Sequence, residues 1–239
     1  MAIYRDNMGD FKTLREQAFA ANMEIPRRGL ALYTWGNVSA FDNTAGVFAI
    51  KPSGVAYDAL TADSMVVVDL DGNTVWGKLR PSSDTETHRV LYRNFPGIGG
   101  ITHTHSTYAS AWAQAGQDVP VFGTTHADHC CQAIPCTSLL SEIAVKGDYE
   151  RETGNLIVKT FNTQKINPLH VQMVLVAGHG PFTWGTDAIK SVYHAAVLEE
   201  VCTMAFLTLS INPQTQPLPA HIINKHWERK HGAGAYYGQ

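Results

Sequence analysis

The stretch Gly99-Gly100-Ile101-Thr102-His103-Thr104-His105-Ser106 decides how this chain is read. It is a short run of β type, and successive side chains of a strand alternate between faces. His103 and His105 therefore project from one side, and Thr102 and Thr104 from the other. Two imidazoles on one face of a rigid strand are half of a metal site. The same pattern also describes a strand with two exposed or hydrogen-bonded histidines, so its meaning depends on what else the chain supplies.

Outward from this run, residues 107–115 predict a helix that Gly116 ends. Ser83-Asp84-Thr85-Glu86 has the form of a capping box and predicts a helix to about Asn94. Upstream, residues 11–23 predict an opening helix that stops near Pro26. Residues 30–41 and 47–51 predict strands about a turn at 42–46, and residues 65–69 and 74–76 predict a hairpin about Asp71-Gly72. Downstream, residues 156–161 and 173–177 predict strands. Residues 186–210 predict the longest helix, apolar at Ile189, Val192, Ala196 and on through Ala205. The pattern is of the α/β class, one domain over residues 1–239, with a mainly antiparallel or mixed sheet sandwiched by helices.

Length and charge narrow the function. At 239 residues the chain buries a full core, and 44% hydrophobic with 16% charged residues is ordinary for a globular protein. With 18 Lys and Arg against 21 Asp and Glu, the net charge is −3. No basic field attracts nucleic acid or anionic lipid, so an anionic substrate must be held by local donors. The reading finds no apolar run of membrane-spanning length and no apolar leader in Met1-Ala2-Ile3-Tyr4-Arg5-Asp6, and expects a cytoplasmic protein without a membrane partner. Cys130, Cys131, Cys136 and Cys202 match neither a C-x-x-C pair nor a disulfide framework and read as free thiols. Gly97-Ile98-Gly99-Gly100 leads into a strand, not a helix, and is no dinucleotide fingerprint.

Further ligands are legible. His179 stands between two glycines after the apolar run Val174-Leu175-Val176-Ala177, where glycine permits close backbone approach or positive φ. Asp84 sits at a predicted helix start, where a carboxylate also offsets the helix dipole. Asp84, His103, His105 and His179 together would make an oxygen and nitrogen site without sulfur, suited to catalytic Zn²⁺ or Mn²⁺. Lys51-Pro52-Ser53-Gly54-Val55 and Pro81-Ser82-Ser83-Asp84 each offer hydroxyls and backbone N–H groups near a turn or helix start, a setting that binds phosphate without net positive charge. The same serines also serve as ordinary turn and cap residues.

With Thr34-Trp35-Gly36-Asn37-Val38-Ser39, Gly123-Thr124-Thr125-His126-Ala127-Asp128 and Gly178-His179-Gly180-Pro181-Phe182, these motifs occur in an order that resembles the class II aldolase/adducin-type family over nearly the whole chain. Lys225-His226, Arg229-Lys230-His231-Gly232 and Ala235-Tyr236-Tyr237-Gly238-Gln239 are similar to members that epimerise a ketopentose phosphate. The resemblance implies one Zn²⁺ per subunit on Asp84, His103, His105 and His179. It implies a sugar phosphate held by Gly36, Asn37, Lys51, Ser53, Gly54, Ser82 and Ser83. Asp128 and Tyr237 would be the acid/base pair, with Thr124, His226 and Arg229 assisting from a neighbouring subunit of a homotetramer whose active sites lie between subunits.

The implied chemistry is constrained. C4 of a 2-ketopentose phosphate is β to the carbonyl, so its hydrogen is not acidic, and inversion without a redox cofactor requires cleaving and re-forming the C3–C4 bond. The alternative is an aldolase that stops at cleavage, of the kind acting on L-fuculose 1-phosphate. Similar aldolases carry Glu in place of Asp84 and lack the tail. An adducin-like interaction module without metal ligands is the remaining reading, and the presence of all four candidate ligands argues against it.

Overall fold

The structure, a computed structural model, describes residues 10–237; Met1 to Asp6 and the last two residues of the tail motif, Gly238 and Gln239, lie outside them. Helix α1 (Lys12–Arg27) leads into strands β1 (Gly36–Asp42), β2 (Val47–Ile50), β3 (Val66–Asp69) and β4 (Thr74–Trp76). Then come α2 (Thr85–Asn94), β5 (Gly100–Thr104), α3 (Thr107–Ala115), α4 (Thr124–Ala127), α5 (Glu142–Lys146) and α6 (Tyr149–Gln164). Strands β6 (Met173–Val176) and β7 (Gly180–Gly185) precede α7 (Ala188–Ile211) and α8 (Ala220–His231).

The seven strands form one sheet in the order β4-β3-β2-β1-β5-β7-β6, with every named pair antiparallel. Cross-strand partners share a face, so the register separates two cores. Asn37, His103 and Phe182 lie on one face with Ser39, Ile101, Phe48 and Val68. That face carries α2: Ser39 Oγ meets His88 Nδ1 at 2.7 Å and Tyr92 Oη at 2.6 Å, and Phe41 stacks on Tyr92. Val38, Thr102 and Thr183 lie on the other face, under α1 and α7. There Asn22 Nδ2 donates to the Val38 carbonyl, and Thr102 Oγ1 lies 2.7 Å from Ser191 Oγ. The alternation expected of Thr102 and His103 is thus realised.

Gly99 and Gly100 owe their place to close packing. A Cβ on Gly99 would meet the Thr186 carbonyl oxygen at 2.2 Å, and one on Gly100 would meet Ala188 N and Cα at 2.4 Å. The start of α7 lies directly on β5, which leaves no room for a side chain.

Several boundaries differ from the sequence expectation. Residues 30–35 form turns, with Tyr33 at φ +51°, and strand β1 begins only at Gly36. The opening helix extends through Pro26 to Arg27. Residues 156–161 are not a strand but the middle of α6, whose buried positions Thr153, Gly154, Ile157 and Phe161 keep helical spacing. Asp148 caps this helix by accepting from the Arg151 N–H. The capping box at residues 83–86 does not form: Asp84 is the N-cap and its carboxylate accepts from Asn37 instead of the helix, while the Glu86 carboxylate accepts from Arg89. Among the described residues one helix, α7, is long and apolar enough to cross a membrane, with a hydropathy of 1.4, contrary to the sequence reading. Its Val192, Leu198, Val201 and Ala205 are buried in the two cores. All four cysteines are free, and Cys130 and Cys202 are buried.

Candidate active site

Three histidines converge at one end of the sheet. One ring nitrogen from each of His103, His105 and His179 falls within a group spanning 4.8 Å. His103 is buried at the end of β5 and stacks on Phe182, ring centroids 4.2 Å apart. Its Nδ1 lies 2.9 Å from the Pro181 carbonyl, which only accepts, so Nδ1 donates there and Nε2 is the nitrogen turned toward the other imidazoles. That Nε2 stands 3.1 Å from Nε2 of His105. His179 sits in the turn between β6 and β7. Gly178 takes φ +72° there, and a Cβ on Gly180 would strike the Thr104 carbonyl oxygen at 2.9 Å, so the two glycines let the turn close on β5. Helix α3 is fixed just after His105: the Glu199 carboxylate of α7 accepts from the Tyr108 and Ala109 N–H groups at 2.8 and 2.9 Å.

The electrostatics suit a cation. Burial lowers the His179 pKa to about 4, and burial with the neighbouring His103 lowers that of His105, so both imidazoles are neutral at pH 7. Burial pushes the Asp84 carboxyl up, but His103, His88 and the Asn37 hydrogen bond outweigh it and hold the group below the usual carboxylate range. Asp84 Oδ2 accepts from Asn37 Nδ2 at 2.7 Å, beside the imidazoles but outside their 4.8 Å group. The Nδ1 of His179 is buried without a hydrogen-bond partner. Neutral nitrogen donors facing one another, an ionised carboxylate and an unspent ring nitrogen fit a divalent metal ion of the Zn²⁺ or Mn²⁺ type.

A cleft of about 740 Å³ opens over these groups. Gly36, Asn37, Lys51, Ser53, Gly54, Ser82, Ser83, Asp84, His103, His105 and His179 all line it, so the structure brings together every residue of the expected metal and phosphate sets in this half of the chain. The two serine turns are zipped by backbone bonds, Ser53 N to Arg80 O and Ser82 N to Lys51 O. Lys51 is buried beneath them, and burial lowers its pKa. The N-termini of α2 and α6 both reach the cleft, adding fixed positive ends without a positive side chain. Sequence reasoning missed Ser110 and Gln114 of α3 and Tyr149 and Glu150 of α6, which also line the cleft. The four-residue spacing of Ser110 and Gln114 after the histidine strand was the one signal available.

The remaining expected residues gather elsewhere, on α4, α8 and the tail. Asp128 binds Arg229 through both oxygens, Oδ1 to Nε at 2.9 Å and Oδ2 to Nη2 at 2.6 Å, and His226 Nδ1 lies 3.1 Å from Oδ1. Burial raises the Asp128 pKa, but hydrogen bonds from Arg229 and His226 prevail and hold it below the usual range. Thr124 opens α4 and its carbonyl accepts from the Asp128 N–H. The Arg229 guanidinium lies 4.2 Å over the Tyr237 ring, and the Arg229 carbonyl accepts from the Tyr237 N–H. None of these five residues lines the histidine cleft.

Fold and site together define a sugar-phosphate enzyme scaffold of one family. The chain belongs to the class II aldolase and adducin family: the family model described as Class II Aldolase and Adducin N-terminal domain matches residues 16–206. It is similar to L-ribulose-5-phosphate 4-epimerase UlaF of Salmonella paratyphi B, at 53% identity over 95% of this chain and 98% of that protein. The protein of the same name from Salmonella typhi is 53% identical over the same shares. Among solved structures, an L-fuculose 1-phosphate aldolase superposes with a TM-score of 0.74 at 22% identity, covering 91% of this chain and 95% of its own. YgbL of Escherichia coli, a putative aldolase/epimerase/decarboxylase by its title, gives 0.70 at 23% identity, over 90% and 97%. At those identities the two structures establish the fold.

Proposed function

We propose that this protein is an L-ribulose-5-phosphate 4-epimerase, interconverting L-ribulose 5-phosphate and D-xylulose 5-phosphate in the cytoplasm. The observation that carries the reading is the 53% identity to enzymes of that name over 95% of the chain, which spans both the histidine cleft and the tail. The reaction is inversion at C4 by cleavage and re-formation of the C3–C4 bond.

Asp84, His103, His105 and His179 are the residues to hold a divalent ion, Zn²⁺ in this reading. When bound, that ion supplies Lewis-acid stabilisation of the negative charge that develops on the ketose oxygens as the bond cleaves. Ser53, Gly54, Ser82 and Ser83 bind the phosphate through hydroxyls and backbone N–H groups, with Lys51 beneath and Gly36 and Asn37 alongside. This grip retains the aldehyde fragment while its carbonyl turns over. The proton on the C4 oxygen leaves before cleavage and returns, on the other face, after rotation, so two carriers are needed. Asp128 is an ionised carboxylate suited to accept it, and the Tyr237 hydroxyl is suited to donate. Thr124, His226 and Arg229 orient this pair.

Because the acid/base cluster is absent from the cleft lining of its own chain, we assign it to the cleft of a neighbouring subunit, in a homotetramer with active sites between subunits. A coupled assay tests the activity. Supplied with L-ribulose 5-phosphate, the purified protein forms D-xylulose 5-phosphate. Free aldehyde as the main product would overturn the reading in favour of an aldolase.

A further inference from the structure

One wall of the cleft has no role in the mechanism above. Strand pairing fixes the order of groups along this end of the sheet: Lys51 to Gly54 follow β2, Gly36 and Asn37 open β1, His103 and His105 end β5, and Gly180 begins β7. Helix α3 packs on β7 and β6, so its Ser110 stands at the far end of this row from the serine turns, with the histidines between. The Ser110 Oγ lies 3.6 Å from the point where a Cβ on Gly180 would sit, and His103 Cε1 lies equally close to that point.

Ser110 is 7% exposed, yet its hydroxyl has no hydrogen-bond partner. Buried hydroxyls are ordinarily paired, and an unpaired one bordering a substrate cleft marks a place where a ligand polar group belongs. A serine hydroxyl turns about χ1 and both donates and accepts, so it matches a ligand hydroxyl. Gln114, one turn further along α3, faces the same cleft. Tyr149 lines the same cleft from the start of α6, its ring 6.1 Å from that of His179.

We infer that Ser110, with Gln114 one turn further along α3, is a specificity determinant that holds the C1 hydroxyl at the unphosphorylated end of the ketose. The inference rests on the epimerase reading and deepens it. With the phosphate on the serine turns, the carbon chain runs past the histidines and its C1 end reaches the α3 wall. Cleavage of C3–C4 leaves one fragment that must turn and one, carrying C1 to C3, that must stay still. The phosphate grip governs the first, and a bond to the C1 hydroxyl immobilises the second.

The test compares L-ribulose 5-phosphate with its 1-deoxy analogue. The wild-type enzyme is expected to favour the natural substrate in kcat/KM by at least about tenfold, because the analogue leaves Ser110 unpaired. Ser110→Ala should bring that ratio close to one while holding the analogue's own kcat/KM within about threefold of wild type. Gln114→Ala, at an exposed position, should shrink the ratio by a smaller factor and serves if the serine variant fails to fold. Equal losses on both substrates, or a wild-type enzyme that treats them alike, would overturn the inference. Failure of the wild-type enzyme to act on L-ribulose 5-phosphate would instead overturn the epimerase reading.

Discussion

The histidine cleft and the Asp128 cluster are built in opposite ways. The cleft's ligands stand on strand ends and a glycine-flanked turn, and β1, β5 and β7 position them within one chain. The Asp128 cluster stands on a four-residue helix, α8 and the chain's tail, and its carboxylate is already engaged by Arg229 and His226. The first region gathers three imidazoles beside the Asp84 carboxylate, and neither Asp128 nor Tyr237 lines it. The second gathers Asp128, His226, Arg229 and Tyr237, and among the described residues the only metal-type group lies elsewhere, on the three histidines. What the comparison teaches is that the sheet fixes the imidazoles within one chain, whereas the Asp128 cluster, built on short helical elements and the tail, would need a second surface to act upon.

The largest expected effect tests the first region. His105→Asn removes one of three converging imidazoles, and bound zinc, measured by atomic absorption, should fall with activity by about a thousandfold or more. Full metal content in that variant would break the assignment. Next comes Tyr237→Phe, which should lower kcat by about 10² to 10⁴ and leave zinc and melting temperature unchanged. Co-expressing the two inactive variants sharpens the contrast further. If each cleft borrows its proton carriers from a neighbour, random assembly restores about a quarter of wild-type activity. No recovery would place both regions in the service of one chain.

The smallest effect concerns stability against pH. His194 is buried, its Nδ1 lies 2.6 Å from the Trp184 carbonyl, and burial lowers its pKa to about 4. Between about pH 6.5 and 4 the unfolded chain binds a proton at this histidine that the folded chain refuses. The associated stability is fully present above pH 6.5 and is lost as pH falls through that window, by up to about 1.4 kcal/mol per unit. His194→Gln should flatten the acid limb of a denaturation series, and an unchanged slope would remove His194 from the account.

Much of the fold and of the candidate cleft was legible because both rest on local patterns. Alternation placed His103 opposite Thr102, glycines marked the approach of His179, and the hydroxyl turns marked residues that line the cleft. What was missed depends on distant partners. The β-branched and aromatic run at residues 156–161 reads as a strand in isolation, and its helical period appears only when Thr153 and Gly154 are included. Asp84 looked like part of a cap, and the partner that diverts it, Asn37, lies 47 residues away. Ser110 gave no signal by itself, since an unpaired hydroxyl is recognised only once its surroundings are known.

The antiparallel pairing of β5 has a consequence for the order in which the site comes into being. Its neighbours are β1, more than sixty residues earlier, and β7, some eighty residues later. During synthesis His103 and His105 emerge long before His179, and a strand pairing across such a separation forms slowly. The nascent chain therefore offers a metal ion only two of its three imidazoles until β7 closes beside β5. A truncated chain that ends before His179 lacks the third imidazole altogether.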